Sequence, residues 1–146
     1  MSEVRTLGID YGEKRVGLAL SDPLGLTAQP LALIERENDG QVIEALDALV
    51  REHEVGRIVV GLPLSLSGGD SARTRRTRLF IRRLKGRLRL PVETWDERLS
   101  TAEADRTLRE MAVPPGRRRA QRDVISAQLI LQGFVDRRRT ESARRP

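Results

Sequence analysis

Three short runs of alternating apolar residues open the chain in close succession, and they limit its fold more than any other feature does. Val4–Asp10 (VRTLGID) and Arg15–Ser21 (RVGLALS) are separated by YGEK, a polar stretch whose glycine suits a hairpin turn. A third run, Gln29–Glu35, follows the SDPLG turn. Strands joined this closely run antiparallel, because a parallel neighbour needs a crossover of about a dozen residues or more. Period two puts Val16, Leu18 and Leu20 on one face of the second strand and Gly17, Ala19 and Ser21 on the other. The small residues lie beside the end of the first strand and leave room there for something bulky.

Helical and strand patterns then alternate. Asn38-Asp39-Gly40 introduces an amphipathic helix carrying Val42, Leu46, Leu49 and Val50. Arg57–Gly61 (RIVVG) is a short apolar strand, followed by the loop LPLSLSGG. Asp70 or Ser71 caps a long arginine-rich helix to about Leu88, and Pro91–Trp95 is another strand. Ser100 and Glu103 form the capping box of a helix with Ala104, Leu108 and Met111 on one face. Pro114-Pro115-Gly116 breaks the chain before a last helix, about Ala120 to Arg138. The order β-β-β-α-β-α-β-α-α predicts an α/β fold, a mixed five-stranded sheet with helices on both faces. No repeat or linker divides it, so residues 1–138 read as one domain and 139–146 as a basic, disordered tail.

The residues that are absent exclude whole classes of chemistry. Without cysteine there is no disulfide framework, thiolate zinc site or cysteine nucleophile, and a reducing, cytoplasmic setting is expected. A single histidine, His53, read as a surface residue at a helix end, leaves no room for a two-histidine ribonuclease or a histidine-rich metal site. No run reaches the ~20 apolar residues of a membrane span, and no signal-peptide pattern opens the chain. Carboxylates, hydroxyls and arginine remain.

Charge is unevenly spread. Residues 1–69 hold 6 basic and 11 acidic groups, residues 70–146 hold 21 and 10, and lysine occurs only at positions 14 and 85. Arg75, Arg78, Arg82, Lys85 and Arg89 recur as a helical stripe opposite Phe80, Leu84 and Leu88. A second cluster, Arg117, Arg118, Arg119 and Arg122, precedes Asp123. Guanidinium groups so arranged suit the phosphate backbone of a nucleic acid, without sequence readout. The loop SLSGG, ahead of a capped helix, could cradle a phosphate on its N–H groups.

Three carboxylate positions stand out. Asp10 closes the first strand on the face of Val4, Thr6 and Gly8, away from Leu7 and Ile9, and also reads as a turn-forming aspartate. Asp96-Glu97 ends the last strand, where alternation lets only one of the two point inward. Asp123 heads the row Asp123, Ala127, Ile130, Phe134, a carboxylate continuing an apolar stripe, with favourable placement at a helix N-terminus as its simpler explanation. Carboxylates converging from strand ends and a helix start make a hard-oxygen cage for one or two Mg²⁺ or Mn²⁺ ions, a hydrolytic design that needs neither histidine nor cysteine.

GIDYGEKRVGLALSD, VVGLPLSLSGG, DERLSTAEA and RDVISAQLILQ resemble, in order and spacing, the motifs of the YqgF/RuvX family, over about Val4 to Asp136. The resemblance implies an RNase H-like nuclease domain and an acidic triad of Asp10, Glu97 and Asp123, choosing Glu97 over Asp96. It also implies cytoplasmic nucleic-acid processing by a monomer or homodimer. Maturation of the pre-16S rRNA 5′ end is the expected activity, favouring RNA as substrate. Resolution of Holliday junctions on DNA, which needs paired cuts and a dimer, is one alternative, and non-catalytic nucleic-acid binding is another. Ser100 and Thr101 would cap the helix beside the site.

Overall fold

The computed structural model describes residues 4–65, 67–99, 106, 109–110 and 122–144. The elements run β1 (Arg5–Tyr11), β2 (Arg15–Ser21), β3 (Ala28–Glu35), α1 (Asp39–Glu52), β4 (Val55–Leu62), α2 (Ala72–Leu88), β5 (Val92–Asp96), a 3₁₀ turn (Glu97–Leu99) and α3 (Arg122–Arg144). Of the helix expected after Ser100, Arg106, Arg109 and Glu110 are described and helical, whereas Ser100, Thr101, Glu103, Ala104, Leu108 and Met111 lie outside the described residues, as do Arg117, Arg118 and Arg119.

The five strands form one sheet in the order β3-β2-β1-β4-β5. The expected meander is present: β1 pairs antiparallel with β2, placing Asp10 opposite Gly17, and β2 pairs antiparallel with β3. β4 and β5 join in parallel, each after a helical crossover. β1 is therefore the central strand, and its C-terminal end lies where antiparallel and parallel halves meet. β3 is an edge strand, where Pro30, which has no N–H to give, is tolerated.

Helices cover both faces. On one, Leu7, Ile9 and Tyr11 of β1 and Val16, Leu18 and Leu20 of β2 pack with Val42 and Leu46 of α1 and Phe80 and Leu84 of α2, all buried. Asn38 caps α1 by accepting the Gln41 N–H at 2.8 Å, and Ser71, not Asp70, caps α2 in a reciprocal box with Thr74. On the other face, Ala127, Ile130, Leu131, Phe134 and Val135 of α3 pack on Ala19, Val59 and Trp95. The bulky neighbour for which the small residues of β2 leave room is thus α3 itself. A Cβ at Gly17 would run into the main-chain carbonyl of Asp123, so this close approach requires glycine. Two buried glutamines lock the helix in register: Gln132 Oε1 accepts the Ala28 N–H at 2.9 Å, and Gln128 Nε2 donates to the Ala28 carbonyl at 3.1 Å.

One boundary differs from expectation. The tail expected to be disordered from residue 139 continues α3 as far as Arg144. Thr140 donates its hydroxyl to the Asp136 carbonyl at 3.0 Å, and Arg137 pairs with Glu141 at i,i+4, local contacts that sustain a helix past its last core residue. Among the described residues no helix is long and apolar enough to cross a membrane.

Candidate active site

Period two carries Asp10 to the α3 face at the C-terminal end of β1, beside the last turn of β4, and β5 delivers Glu97 from the neighbouring strand end. The two carboxylates line one cavity of about 280 Å³, together with Arg73, Trp95, Ser126 and Ile130. Close packing sets this spacing: a Cβ on Gly61 of β4 would stand 2.9 Å from Glu97 Oε1, so only glycine leaves room for the carboxylate there.

Asp10 is 8% exposed. Its pKa is raised from 3.8 to about 7, first by burial and then by the charge of Glu97, with Asp123 adding to the rise. Arg73, whose Nη2 lies 3.9 Å from Asp10 Oδ1, and a hydrogen bond from Ser126 oppose the shift without cancelling it. Glu97 is raised as well, mainly by burial and further by Asp96, against the pull of Arg73. Asp96 itself turns away from the cavity and receives the Arg98 guanidinium at 2.6 Å. Of the two adjacent acids, Glu97 lines the cavity.

Asp123 is placed differently. The row it heads is buried as expected, Ala127, Ile130 and Phe134 all facing the sheet. Its carboxylate, however, accepts from Arg15 Nε at 3.0 Å instead of lining the cavity. Gly17 brings β2 against the first turn of α3, and Arg15, two residues earlier on the same face of β2, reaches Asp123 from there. Among the described residues no three acidic or imidazole groups are gathered tightly enough to hold one ion. The expected set of three converging carboxylates is therefore a pair, Asp10 and Glu97, with Asp123 close enough to be felt by Asp10 but engaged with Arg15.

Of the arginines expected to hold a substrate, those among the described residues do not line the cavity. Arg78 grips the Asp70 carboxylate at 3.0 and 3.2 Å, Arg75 donates to the Asp70 carbonyl at 3.3 Å, and Arg82 and Arg122 lie exposed on α2 and α3. The cavity's arginine is Arg73. It heads the row Arg73, Thr77, Phe80, Leu84, whose last three members are fully buried, the same i, i+4, i+7, i+11 spacing that singles out Asp123. Applied to α2, that rule finds Arg73. Ser126 and Trp95 carry no comparable signal, because a helical serine and a strand tryptophan are common away from any site.

The loop before α2 is also more self-contained than expected. Ser65 Oγ accepts the Gly69 N–H at 3.0 Å and the Ser65 carbonyl accepts the Gly68 N–H at 2.8 Å, so these amides are spent inside the turn instead of cradling a phosphate.

Residues 4–137 match the RuvX family, described as Holliday junction resolvase. A relative from Koribacter versatilis, named "Putative pre-16S rRNA nuclease", is 46% identical over 134 residues, covering 92% of this chain and 88% of its own. One of the same name from Symbiobacterium thermophilum is 48% identical, over 92% of this chain and 94% of its own. Among solved structures, RuvC of Thermus thermophilus in complex with a Holliday junction substrate superposes with a TM-score of 0.67 at 12% identity, covering 96% of this chain and 98% of that one. The shared architecture is the RNase H-like fold expected from the motifs. With a family match spanning nearly every residue and relatives at almost half identity, the chain belongs to the RuvX family.

Proposed function

We infer that the chain is a divalent-metal-dependent nuclease that hydrolyses phosphodiester bonds of RNA, with the 5′ end of pre-16S rRNA as its target in the cytoplasm. Nuclease activity follows from the family, and the observation that carries its location is the Asp10–Glu97 pair in one cavity. Two carboxylates of raised pKa facing the same space, beside a serine hydroxyl and without thiol or imidazole, are a hard-oxygen donor set that fits Mg²⁺ or Mn²⁺. Asp10 and Glu97 would hold the ion, and Asp123 would join them on leaving Arg15. Bound there, a divalent cation supplies Lewis-acid polarisation of the phosphodiester and lowers the pKa of water.

The protein's own groups do the rest. Arg73 sets a guanidinium beside the carboxylates, where it balances a scissile phosphate that they would otherwise repel. Ser126, whose hydroxyl donates to the Arg122 carbonyl at 3.0 Å, lines the cavity, and Trp95 and Ile130 wall it with apolar surface that limits water. Arg75, Arg78, Arg82 and Arg122, together with Arg117, Arg118 and Arg119, guide the backbone over the outer surface through salt-sensitive contacts.

Side-by-side digestion of precursor rRNA, single-stranded DNA and a four-way junction tests this reading. With Mg²⁺ or Mn²⁺ the precursor RNA is cut, EDTA stops the reaction, and Glu97→Gln is inactive while folded. Undiminished cutting in EDTA or by Glu97→Gln overturns the site. Paired cuts in the junction alone, by a dimer, move the substrate to branched DNA.

A further inference from the structure

A second cavity, of about 290 Å³, opens at the far end of α3, on the same face of the sheet as the carboxylate pair. Its polar lining is Thr6 and Ser21 from the sheet, Arg57 from β4, and Arg138, Arg139 and Ser142 from the last turns of α3. Among the described residues no carboxylate lines it. Thr6 and Ser21 form a buried floor in which Ser21 Oγ accepts the Thr6 N–H at 2.8 Å, leaving the serine proton to be donated outward.

Nearby acidic groups are engaged elsewhere. Asp22 accepts the N–H groups of Leu26 and Thr27 at 2.6 and 2.9 Å, Asp136 accepts from Gln132 Nε2 at 3.0 Å, and Glu141 pairs with Arg137. Glu93 pairs with Arg57 at 3.7 Å. Among the described residues no carboxylate pairs with Arg138 or Arg139, and Arg138 lies 5.7 Å over the Phe134 ring, a contact that orients its guanidinium plane. The negative end of the α3 dipole makes arginine tolerable here. It does not account for Arg138 and Arg139 lining one opening with Thr6, Ser21 and Ser142, residues whose donors suit a phosphate.

We propose that this cavity is a second, non-catalytic anchor that takes a backbone phosphate of the strand being cut. The proposal rests on the nuclease reading for the source of that phosphate. Thr6 and Asp10 are four residues apart on β1, roughly 13 Å at ~3.3 Å per residue. Ser126 and Ser142 lie sixteen residues apart on α3, about 24 Å at ~1.5 Å per residue. A single strand crossing that span places the anchored phosphate several nucleotides from the scissile bond.

Fluorescence anisotropy of 5′-fluorescein single-stranded RNA, in EDTA so that binding is read without cutting, tests it on the full chain. Arg138→Ala/Arg139→Ala binds a twelve-nucleotide RNA about tenfold more weakly, with a salt slope lower by about 0.7, as expected for one phosphate no longer neutralised. A four-nucleotide RNA, too short to reach both cavities, stays within twofold. So does Arg51→Ala/Arg87→Ala, which removes the same charge from the other face, where both pair with Asp47. Arg139→Ala alone, at an exposed position, gives about a threefold loss and covers any misfolding of the double variant, which circular dichroism detects. Equal losses for the control pair, or for the four-nucleotide RNA, overturn the anchor. A melting temperature raised by inorganic phosphate in wild type but not in the variant, with twelve-nucleotide affinity unchanged, assigns the cavity to free phosphate and also overturns it. Binding is read in EDTA and cutting separately with Mg²⁺, so loss of affinity at Arg138 and Arg139 without any cleavage by wild type marks a failure of the cutting reading, and cleavage without that loss marks a failure of the anchor.

Discussion

Each face of the sheet buries one aspartate, and the two fare differently. Asp39, 6% exposed at the start of α1, receives the Tyr11 hydroxyl at 2.6 Å, Arg36 Nε at 3.0 Å and Arg83 Nη1 at 3.3 Å. Asp10, 8% exposed on the opposite face, has no guanidinium nearer than 3.9 Å among the described residues and has Glu97 for company. The cost of taking a carboxylate out of water is offset in the first case and left outstanding in the second. The Tyr11 hydroxyl, pushed up to about 12 by burial and by its bond to Asp39, stays a donor throughout the working range. The lesson is that burial alone does not make a carboxylate reactive; a shortage of partners does, and it distinguishes the site from the scaffold along a single strand.

Opposite responses to the same substitution should expose that distinction. Asp10→Asn is expected to lower cleavage at least ~10³-fold while raising stability. The sign follows from the raised pKa: the unfolded chain gives up its Asp10 proton near pH 4 and the folded one only near 7, so stability falls as pH rises between those values. The variant escapes this loss. Its advantage in urea melts should be about 2–4 kcal/mol above pH 7 and vanish below pH 4, and wild-type cleavage should climb with pH towards about 7. Asp39→Ala should do the reverse, costing about 3 kcal/mol in the same melts because Arg36 and Arg83 lose their partner, with the turnover of the folded fraction retained. A matching sign for the two aspartates would erase the contrast.

Smaller effects sharpen it. Gly17→Ala should cost about 2 kcal/mol by pressing β2 against the Asp123 carbonyl, and should reduce activity more than stability, since the displaced turn carries both Asp123 and Ser126. An unchanged turnover would show that the α3 seat has slack. Arg15→Ala removes an exposed ion pair and should change stability by less than about 1 kcal/mol. By releasing Asp123 it should tighten Mn²⁺ binding several-fold, read from quenching of Trp95, the one tryptophan, which lines the cavity. Weaker Mn²⁺ binding would mean that Arg15 positions Asp123 instead of withholding it.

Period two and helical spacing made the scaffold legible: they fixed the meander, the small face of β2, the side on which Asp10 emerges and the buried row behind Asp123. These are consequences of one strand or one helix at a time. The site was legible only where it followed from such a row. Glu97 needed the family motif, because a strand end does not announce which of two adjacent acids turns inward. Arg15 and Asp123, 108 residues apart, meet through the packing of α3 on β2, which no local pattern contains. The cationic stripe of α2 was visible, but its partner was not: Asp70, just ahead of the cap, claims Arg78 and part of Arg75. The arginine that reaches the cavity, Arg73, sits one turn earlier on the row that faces inward.

The central place of β1 also bears on how the protein is made. β1, β2 and β3 are contiguous and pair as soon as they leave the ribosome, so Asp10 is synthesised into a hairpin almost at once. Its companions arrive later, Arg73 with α2, Glu97 after β5, and Ser126 last with α3, whose glutamines close the layer by gripping Ala28. A nascent chain therefore carries an unpaired aspartate but no finished cutting centre until its final helix is released. The cavity's residues are therefore complete only once the last helix of the chain has been made.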